Sequence, residues 1–547
     1  MQIAVRNRLF DESKRMSHSS STMKWLGVFL LAVASGFSGL AQTATISGTD
    51  TNGAGVVYSE MTNSLAADTN APANIRMLSL QDCIELALKH NLELQVDRYN
   101  PAISLYTLKA AYGGYDPTLF LSGSHEHNNL GEQLFGNGLL GGSTEDVTSF
   151  DTRVSGTSPI GTTYSIEGQV AGTDQFLTST NGTSFNPNTS GQVRGSISQP
   201  LLKNFWIDQT RLNIRVDKNR LKYTQLGLKL NIMTTVTTLE QAYYDLIYNR
   251  ENVKVQEMAA QQTDRLVLES KKKLEVGALA ELDLASAQAQ AAQNRAAIIQ
   301  AESQLGTQER KVKGLITDNF PQWADVELQP SGNLTAERVA FNRQESWRKA
   351  LADRPEYLQA KLDAEKQGIQ LKYDWNQIFP ELDVVGTAGY NGSGTFFSEA
   401  LFDVEQRNRP FYSFGGQLTV PLANINARNT YKSDKVSLQQ FLLTIKEKER
   451  DILIAIDNDI GTLQADYDNV QATHAQRLYE EQALDAEQKK LNNGKSTTYN
   501  VILVQRDLTT ARGAEIQALD TYNKDLAQFS LDEGSTLERL NIDLTVK

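Results

Sequence analysis

The sequence predicts an α+β protein made of two internal repeats, each joining a block of strands to a long helical hairpin. An apolar ladder with a period of seven runs from Leu239 to Gly277 and recurs 217 positions later, where it ends at Gly494. Each glycine is followed by a second helical segment, and residues rich in strand formers precede each ladder. A chain built twice from one hairpin is usually architectural rather than catalytic.

Composition narrows the classes of protein that this chain can belong to. It has 547 residues, of which 22% are charged, a formal net charge of -12 and a mean hydropathy of -0.40. These values exclude a bundle of membrane helices, which needs repeated apolar runs of about 20 residues. They are compatible with a membrane β-barrel, whose alternating strands leave little hydropathy signal. No basic stretch offers a footprint for phosphates, so we expect no nucleic-acid partner.

The start of the chain is typical of an exported protein. Residues 1-41 contain one short apolar run, Trp25–Ala34, after Lys24 and before small residues that favour cleavage ahead of Gln42. We interpret this segment as a secretory signal peptide; an uncleaved anchor is the alternative, although the run is too short to span a membrane. Residues 42-77 are rich in Thr, Asn, Ala and Gly and predict a flexible leader.

The first repeat is predicted to span residues 78-316. It begins with a helix that Ser79 caps, that Pro101 interrupts or kinks, and that ends near Tyr112. Alternating residues within 118-199 predict strands near Thr118–His127, Phe150–Ser158, Thr163–Ala171 and Gln192–Gln199. A helix of about 70 residues, or about 100 Å, then runs to a tip near Gly277. An Ala- and Gln-rich helix returns from Glu281 to Ile316.

The second repeat is predicted to span residues 350-547. It follows a connector at residues 317-349, which we call equatorial because it would lie around the middle of the helical part. Its strand block, 381-420, holds candidates at Glu381–Tyr390 and Tyr412–Val420, and its hairpin tip lies near Gly494. A C-terminal equatorial segment follows the second hairpin. The strand block of the second half is shorter by 42 residues, so the first half carries either an extra hairpin or a long loop.

The predicted lengths suggest how the elements fit together. Two short helices stacked end to end match one long helix, which places all strands at one end and both glycine breaks at the other. A period of seven implies left-handed coiled coils. Four to six strands are too few to enclose a wide lumen, and open sheet edges cannot face lipid. The barrel must therefore close by oligomerisation, and a trimer with four strands per protomer would hold about twelve.

Several segments together resemble the TolC-like family of outer-membrane efflux proteins. They are Leu78–Ala87 with Asn91–Leu94, Ile197–Leu202, Ala242–Leu246, Val276–Asp283 and Leu537–Ile542. The resemblance implies an α+β membrane protein in which coiled-coil hairpins form a periplasmic α-barrel, joined to the strands of an oligomeric transmembrane β-barrel. It also implies a homotrimer in the lipid of the cell outer membrane. The expected function is a passive exit duct for efflux or secretion, working with a periplasmic adaptor (membrane fusion) protein and an energised inner-membrane pump.

The resemblance also assigns roles to the hairpin tips, which would form the periplasmic entrance and contact the adaptor. The expected tip residues are Val276, Gly277, Ala278, Leu279, Asn493, Gly494, Lys495 and Ser496. Some family members place acidic side chains just after the second tip, where they can bind cations. Here Asn500 and Leu503 occupy those positions, which argues against such a charged gate. Asp283 after the first tip remains a gate candidate; a solvated acid favoured by the helix dipole is the alternative.

Other signals in the sequence favour no chemistry. Gly136, Gly138 and Gly141 match a dinucleotide-binding spacing, but no helix is predicted behind them, so a chance match is favoured. His125 and His127 lie on one face of a strand without a third ligand. We therefore predict no enzyme activity, no cofactor and no metal. Two alternative classes are a secreted or surface coiled-coil structural protein without a pore, and an exported enzyme that uses the first strand region.

Overall fold

The structure is a computed structural model that describes residues 74–134, 140–179, 182–277 and 280–542. They belong to one compact unit, Pro72–Lys547. The predicted signal peptide, 1-41, lies outside the described residues, as does the predicted leader up to residue 73.

The described chain opens with one short strand and three helices. These are β1 (Asn74–Leu78), α1 (Leu80–His90), α2 (Leu92–Asp97) and α3 (Tyr99–Ala111). The Ser79 cap is confirmed, because its Oγ accepts the backbone N–H of Asp82 at 3.1 Å. The predicted single helix is broken at Asn91 and at Arg98 instead of at Pro101, since proline is tolerated in the first turn of a helix. β1 begins inside the segment expected to be leader, because it pairs with a strand of the connector.

The remaining elements alternate between strands and helices. The first half continues with β2 (Thr118–Leu134), β3 (Leu140–Thr157), β4 (Thr163–Ser179), β5 (Gly182–Pro200), α4 (Gln209–Glu275) and α5 (Glu281–Ile316). The connector contributes α6 (Phe320–Trp323), β6 (Val326–Pro330), which pairs in parallel with β1, and α7 (Arg343–Asp353). The second half adds α8 (Pro355–Gln377), β7 (Glu381–Gly394), α9 (Phe397–Glu405), β8 (Pro410–Thr419), α10 (Ile425–Asn492), α11 (Thr498–Glu533) and α12 (Thr536–Arg539).

Within the described residues, one sheet holds six antiparallel strands in the order β2-β3-β4-β5-β7-β8. All six strands lie where the alternating residues predict them, and the first five extend further than predicted. The extra 42 residues of the first half fall in the β3–β4 region and form a hairpin inside the sheet. In the described chain, each edge strand, β2 and β8, has a partner on one side only.

The helices of the two halves correspond closely in length. The long helices α4 and α10 have 67 and 68 residues, and the return helices α5 and α11 have 36 each. Each long helix packs along its return helix on one side, α1–α3 pack along α4, and α7–α8 pack along α10. Of the helices that the structure describes, none combines the length and the apolar character needed to cross a membrane.

The apolar core lies between these helices, in three clusters along their length. One joins α1, α4, α5 and β6 around Ile84, Leu246 and Ile316. A second joins α7, α8, α10 and α11 around Ile456 and Tyr522. Cys83 is buried in the first cluster, and burial raises the pKa of its thiol to about 12. The third cluster lies near the hairpin tips.

Candidate functional site

The sheet has one apolar face and one polar face. Residues directly opposite each other in antiparallel strands lie on the same face. One such row crosses all six strands as Leu119, Val154, Ile166, Gly195, Ala388 and Tyr412. The large side chains of this face are exposed in the protomer: Leu119, Leu121, Phe150, Val154, Ile166, Val193, Ile197, Val384, Tyr412, Phe414 and Leu418. Such a surface needs a partner or a lipid environment.

The opposite face of the same strands is mostly polar, although Phe120 and Phe411 also lie on it. One of its rows reads Ser122, Asp151, Gln169, Gln192 and Asn391 from β2 to β7. The neighbouring row carries an ion-pair cluster, in which the Arg153 guanidinium lies 2.7 Å from the Glu167 carboxylate. Arg194 contacts the same carboxylate from the other side, donating from Nε at 3.1 Å. This face can therefore line a water-filled passage.

Tryptophan side chains mark the end of the sheet that joins the helices. Trp206 follows β5 and is 69% exposed, while Trp375 lies near the end of α8, just before β7. Each has an aromatic neighbour at its side: Phe205 for Trp206, with ring centroids 4.8 Å apart, and Phe379 for Trp375, at 4.7 Å. Exposed tryptophan is typical of membrane–water interfaces.

The two hairpin tips have nearly the same backbone geometry. Val276 and Asn493 end their helices with φ of -94° and -90°. The next residues, Gly277 and Gly494, have φ of 75° and 69°, a conformation that glycine adopts without strain. The N–H of Gly494 donates to the Leu491 carbonyl at 3.1 Å, as in a helix-ending glycine motif.

Six of the eight expected tip residues are described, and Ala278 and Leu279 lie outside the described residues. Val276 is exposed, as are Asn493, Gly494 and Lys495, so their surface is available to a partner. Ser496 donates a hydrogen bond to Glu487, which also pairs with Lys490 at 2.9 Å. These contacts hold the pKa of Glu487 below its usual range. Glu487 could not be predicted from the sequence, because nothing in its spacing marks it as a residue that stabilises the turn.

The gate candidates occupy three different environments. Asp283 is half-buried in the first turn of α5, and in the described chain no side-chain partner holds its carboxylate. Asn500 is exposed and donates to the Ser496 hydroxyl at 3.3 Å. Leu503 is half-buried. The structure therefore brings Asn500, but not Asp283, into contact with an expected tip residue.

An apolar cluster holds the two hairpins together behind the tips. Leu266 of α4 and Ala287 of α5 pack with Leu484 of α10 and Val501 and Ile502 of α11. The two glycine breaks therefore lie at the same end of the helices, as the predicted lengths require.

Buried carboxyl groups between the helices are the main feature that the sequence analysis missed. Asp374 of α8 lies against Asp434 of α10. The pKa of Asp374 is raised to about 7, mainly by burial and secondly by the neighbouring Asp434 carboxyl group. Asp466 of α10 lies against Asp525 of α11, and the same two causes raise its pKa to about 6. The members of each pair are 60 and 59 positions apart, so no local pattern reveals them.

The two histidines considered as metal ligands in the sequence make hydrogen bonds or ion pairs within the sheet instead. His125 hydrogen-bonds Thr148, and His127 contacts Asp146, both across the β2–β3 pair. No group of three or more metal-binding side chains occurs in the described parts of the chain. Of the three glycines in the dinucleotide-like spacing, only Gly141 is described, in β3, and the first two lie outside the described residues.

No protein-family model matches this chain, and no curated protein matches it. Solved structures do match. VceC from Vibrio cholerae has a TM-score of 0.62 at 16% identity, covering 83% of this chain and 96% of its own. The Campylobacter jejuni CmeC outer-membrane channel has a TM-score of 0.61 at 12% identity, covering 86% and 90%. The open state of the Neisseria gonorrhoeae MtrE channel has a TM-score of 0.59 at 14% identity, covering 84% and 89%. The resemblance predicted from the sequence is thus confirmed at the level of the fold: this chain has the fold of TolC-like outer-membrane channels.

Proposed function

We propose that this chain is the protomer of a homotrimeric outer-membrane channel, a passive exit duct for efflux or secretion. The observation that carries the proposal is the six-stranded sheet, with an exposed apolar face on one side and a polar, charged face on the other. Apolar-out and polar-in alternation is the requirement for a strand that separates lipid from water. Solved proteins of the same fold are described as outer-membrane channels.

The height of the apolar face supports a membrane-spanning role. On β7 the apolar and glycine positions run from Leu382 to Gly392, about 34 Å at about 3.4 Å per residue. A strand tilt of about 40° reduces this to about 26 Å, close to the apolar band of outer-membrane barrels at about 25 Å. The exposed Trp206 and Trp375 would then lie at the periplasmic boundary.

The open edges support closure by identical copies. Strand β2 follows α3, which exposes Tyr99, Ile103 and Tyr106, and β8 precedes α10, which exposes Val436 and Leu443. In a ring, β2 of one protomer pairs with β8 of the next, and the two exposed helix surfaces meet below them. Three copies give eighteen strands instead of about twelve. At about 4.8 Å per strand and a tilt of about 40°, the barrel backbone is about 36 Å across.

The helical part would continue the same tube into the periplasm. The closely matched lengths of α4 and α10 and of α5 and α11 support two repeats that build coiled-coil hairpins of one α-barrel. The tips, expected at Val276 to Leu279 and Asn493 to Ser496, would contact the periplasmic adaptor. Energy would come from the inner-membrane pump, because the duct has no chemistry of its own to perform.

Electron microscopy of the protein extracted in detergent tests the proposal. We expect a hollow, three-fold tube with eighteen strands and a helical barrel about 100 Å long, since the long helices have 67 and 68 residues. Insertion into planar bilayers should produce ion conductance, and bilayers given detergent alone are the control. A water-soluble monomer or a solid rod without conductance would instead support the alternative, a secreted or surface coiled-coil structural protein.

A further inference from the structure

The short helix α9, in the β7–β8 connection, folds back onto the sheet. It packs on the apolar face across β4, β5 and β7. Glycines make this close approach possible: a Cβ on Gly191 would lie 3.1 Å from the Ala400 carbonyl oxygen, and one on Gly394 would lie 2.5 Å from the Glu399 Cβ. The ring of Phe397 meets Phe150 edge-on, with centroids 5.9 Å apart. The helix is therefore docked on the sheet rather than loosely attached.

The position of α9 coincides with the boundary of the apolar face. The row beneath it reads Gly123, Phe150, Val170, Gly191 and Gly392. Two rows further from the helical end, the same face carries the ionisable side chains of His127, Asp146 and Asp174. Helix α9 thus lies at the boundary between the continuous apolar rows and this row, beyond which the same face carries a stacked pair, Phe176 and Phe185.

The outward side of α9 presents apolar side chains, while two of its acidic groups are bound by the protein. Phe396 and Phe402 are 63% and 60% exposed, and Leu401 is also exposed. The Glu399 carboxylate accepts the Thr395 N–H at 2.8 Å. The Asp403 carboxylate accepts the Ser393 N–H at 3.0 Å and lies 3.4 Å from Arg409. Exposed phenylalanines beside carboxylates that already accept hydrogen bonds within the protein suit a surface that meets the edge of a lipid layer, with the exposed Glu405 at the end of the helix in the polar layer.

We propose that α9 is an interfacial anchor, which seats Phe396, Leu401 and Phe402 in lipid at the outer boundary of the membrane and fixes the height of the barrel there. The inference rests on the proposed function, because it needs the apolar face to be the lipid face. Helix α9 is not a plug of the passage, since the Arg153–Glu167–Arg194 cluster lies on the opposite face. Together with Trp206 and Trp375 at the other end, it gives the barrel an aromatic anchor at each boundary.

Spin labels on single cysteines of the full channel in phosphatidylcholine vesicles test the anchor. The background carries Cys83→Ala, and the label is placed by Phe402→Cys or Phe396→Cys. Phe414→Cys, on the apolar face and 86% exposed in the wild type, is the control for lipid. Asn408→Cys, in the turn after α9, is the control for water. Accessibility to oxygen reports lipid, and accessibility to a water-soluble nickel chelate reports water.

We expect the oxygen-to-nickel ratio at position 402 to be several-fold above that at position 408, and below that at position 414 because the boundary is shallower. A ratio at 402 equal to that at 408 would overturn the anchor and leave the barrel intact. Shielding from both reagents would also overturn it, since a protein surface would then cover the helix. A water-like ratio at 414 would overturn the proposed function itself, which separates the two failures.

Discussion

The carboxyl group of Asp374 lies against that of Asp434 between α8 and α10. A carboxylate only accepts hydrogen bonds, so the two groups can bond to each other only when one of them carries a proton. Burial first, and then the neighbouring carboxylate, raises the pKa of Asp374 to about 7. The contact between these helices therefore depends on pH.

The first prediction concerns that dependence. The folded protein keeps the shared proton up to about pH 7, whereas an unfolded aspartate releases it near its usual value of 3.8. The stability from this pair is thus fully present below about pH 4 and is lost as the pH rises through about 7. We expect the thermal midpoint of the channel in detergent to fall over this range. Burial of Asp459, Asp466 and Asp520 shifts their pKa to about 6 and acts in the same direction.

Asp434→Asn isolates the pair from the other carboxyl groups. The asparagine removes the like charge, so the pKa of Asp374 should fall and the loss of stability between about pH 5 and 8 should become smaller. Asp451→Asn is the matched control, since Asp451 is an exposed carboxylate of the same helix that pairs with Arg450 at 2.7 Å. If the thermal midpoint depends on pH equally in both variants, the proton shared by Asp374 and Asp434 does not contribute to stability.

A second prediction concerns the C-terminal segment, which an ion pair fastens to the long helix α4. The Glu240 side chain is fully buried, and Arg539 donates to its two oxygens at 2.8 and 2.6 Å. Arg539→Leu leaves a buried carboxylate without a partner, so we expect a loss of about 3–5 kcal/mol in stability. Adding Glu240→Gln to that variant should recover part of the loss. Thermal unfolding of the single and double variants measures the two losses of stability. Equal losses would contradict the conclusion that the unpaired Glu240 carboxylate causes the loss.

The positions of the six strands could be predicted from the sequence, because alternation survives wherever one face is apolar. Their full length could not: β2 and β3 extend into segments rich in Gly, Asn and Ser, which read as turns locally. Pairing with a neighbouring strand is what keeps such residues extended. Helix α9 was missed for a related reason, since its nine residues are too few to show a helical period and its docking needs glycines on three other strands.

The candidate site was predictable only where local conformation leaves a mark. Gly277 and Gly494 adopt positive φ, and a glycine at the end of a periodic apolar pattern predicts such a turn. The pairs Asp374–Asp434 and Asp466–Asp525 leave no such mark, because aspartate on a helix usually indicates a solvated surface. Their burial depends on how helices distant in sequence pack against each other.

A third prediction separates the two faces of the sheet with neighbouring residues of β8. Phe414 lies on the apolar face and Ser413, opposite Thr387, lies on the polar face. Phe414→Arg should lower the stability of the membrane-inserted barrel by about 2–4 kcal/mol, because a lipid-facing arginine near the middle of the membrane is poorly solvated. Ser413→Arg adds the same charge to the polar face and should assemble normally. The yield of heat-resistant trimer in membranes measures both, and equal yields would refute the assignment of the faces.

The last prediction concerns cations at the tips. Asn500 and Leu503 are neutral, so we expect divalent cations to block the wild-type channel weakly when added at the helical end. Asn500→Asp in a trimer would create a ring of three carboxylates, and block should strengthen about tenfold to a hundredfold, since each close charge in water contributes up to about 1 kcal/mol and about 1.4 kcal/mol is a factor of ten. Conductance in planar bilayers with added Mg²⁺ measures this block. Asp485→Asn, on the exposed surface of α10, is the control for a general change in surface charge.

A change at Asp283 tests the origin of the weak block by divalent cations that we expect in the wild-type channel. If its carboxylate faces the entrance, Asp283→Asn should abolish the block that persists in the wild type while leaving conductance in monovalent salt unchanged. If it is only an acid at the start of α5, the same change should lower thermal stability by about 0.3–1 kcal/mol and leave the block intact. The two readouts respond to different causes, because the first needs charges from three protomers to converge and the second needs only one helix.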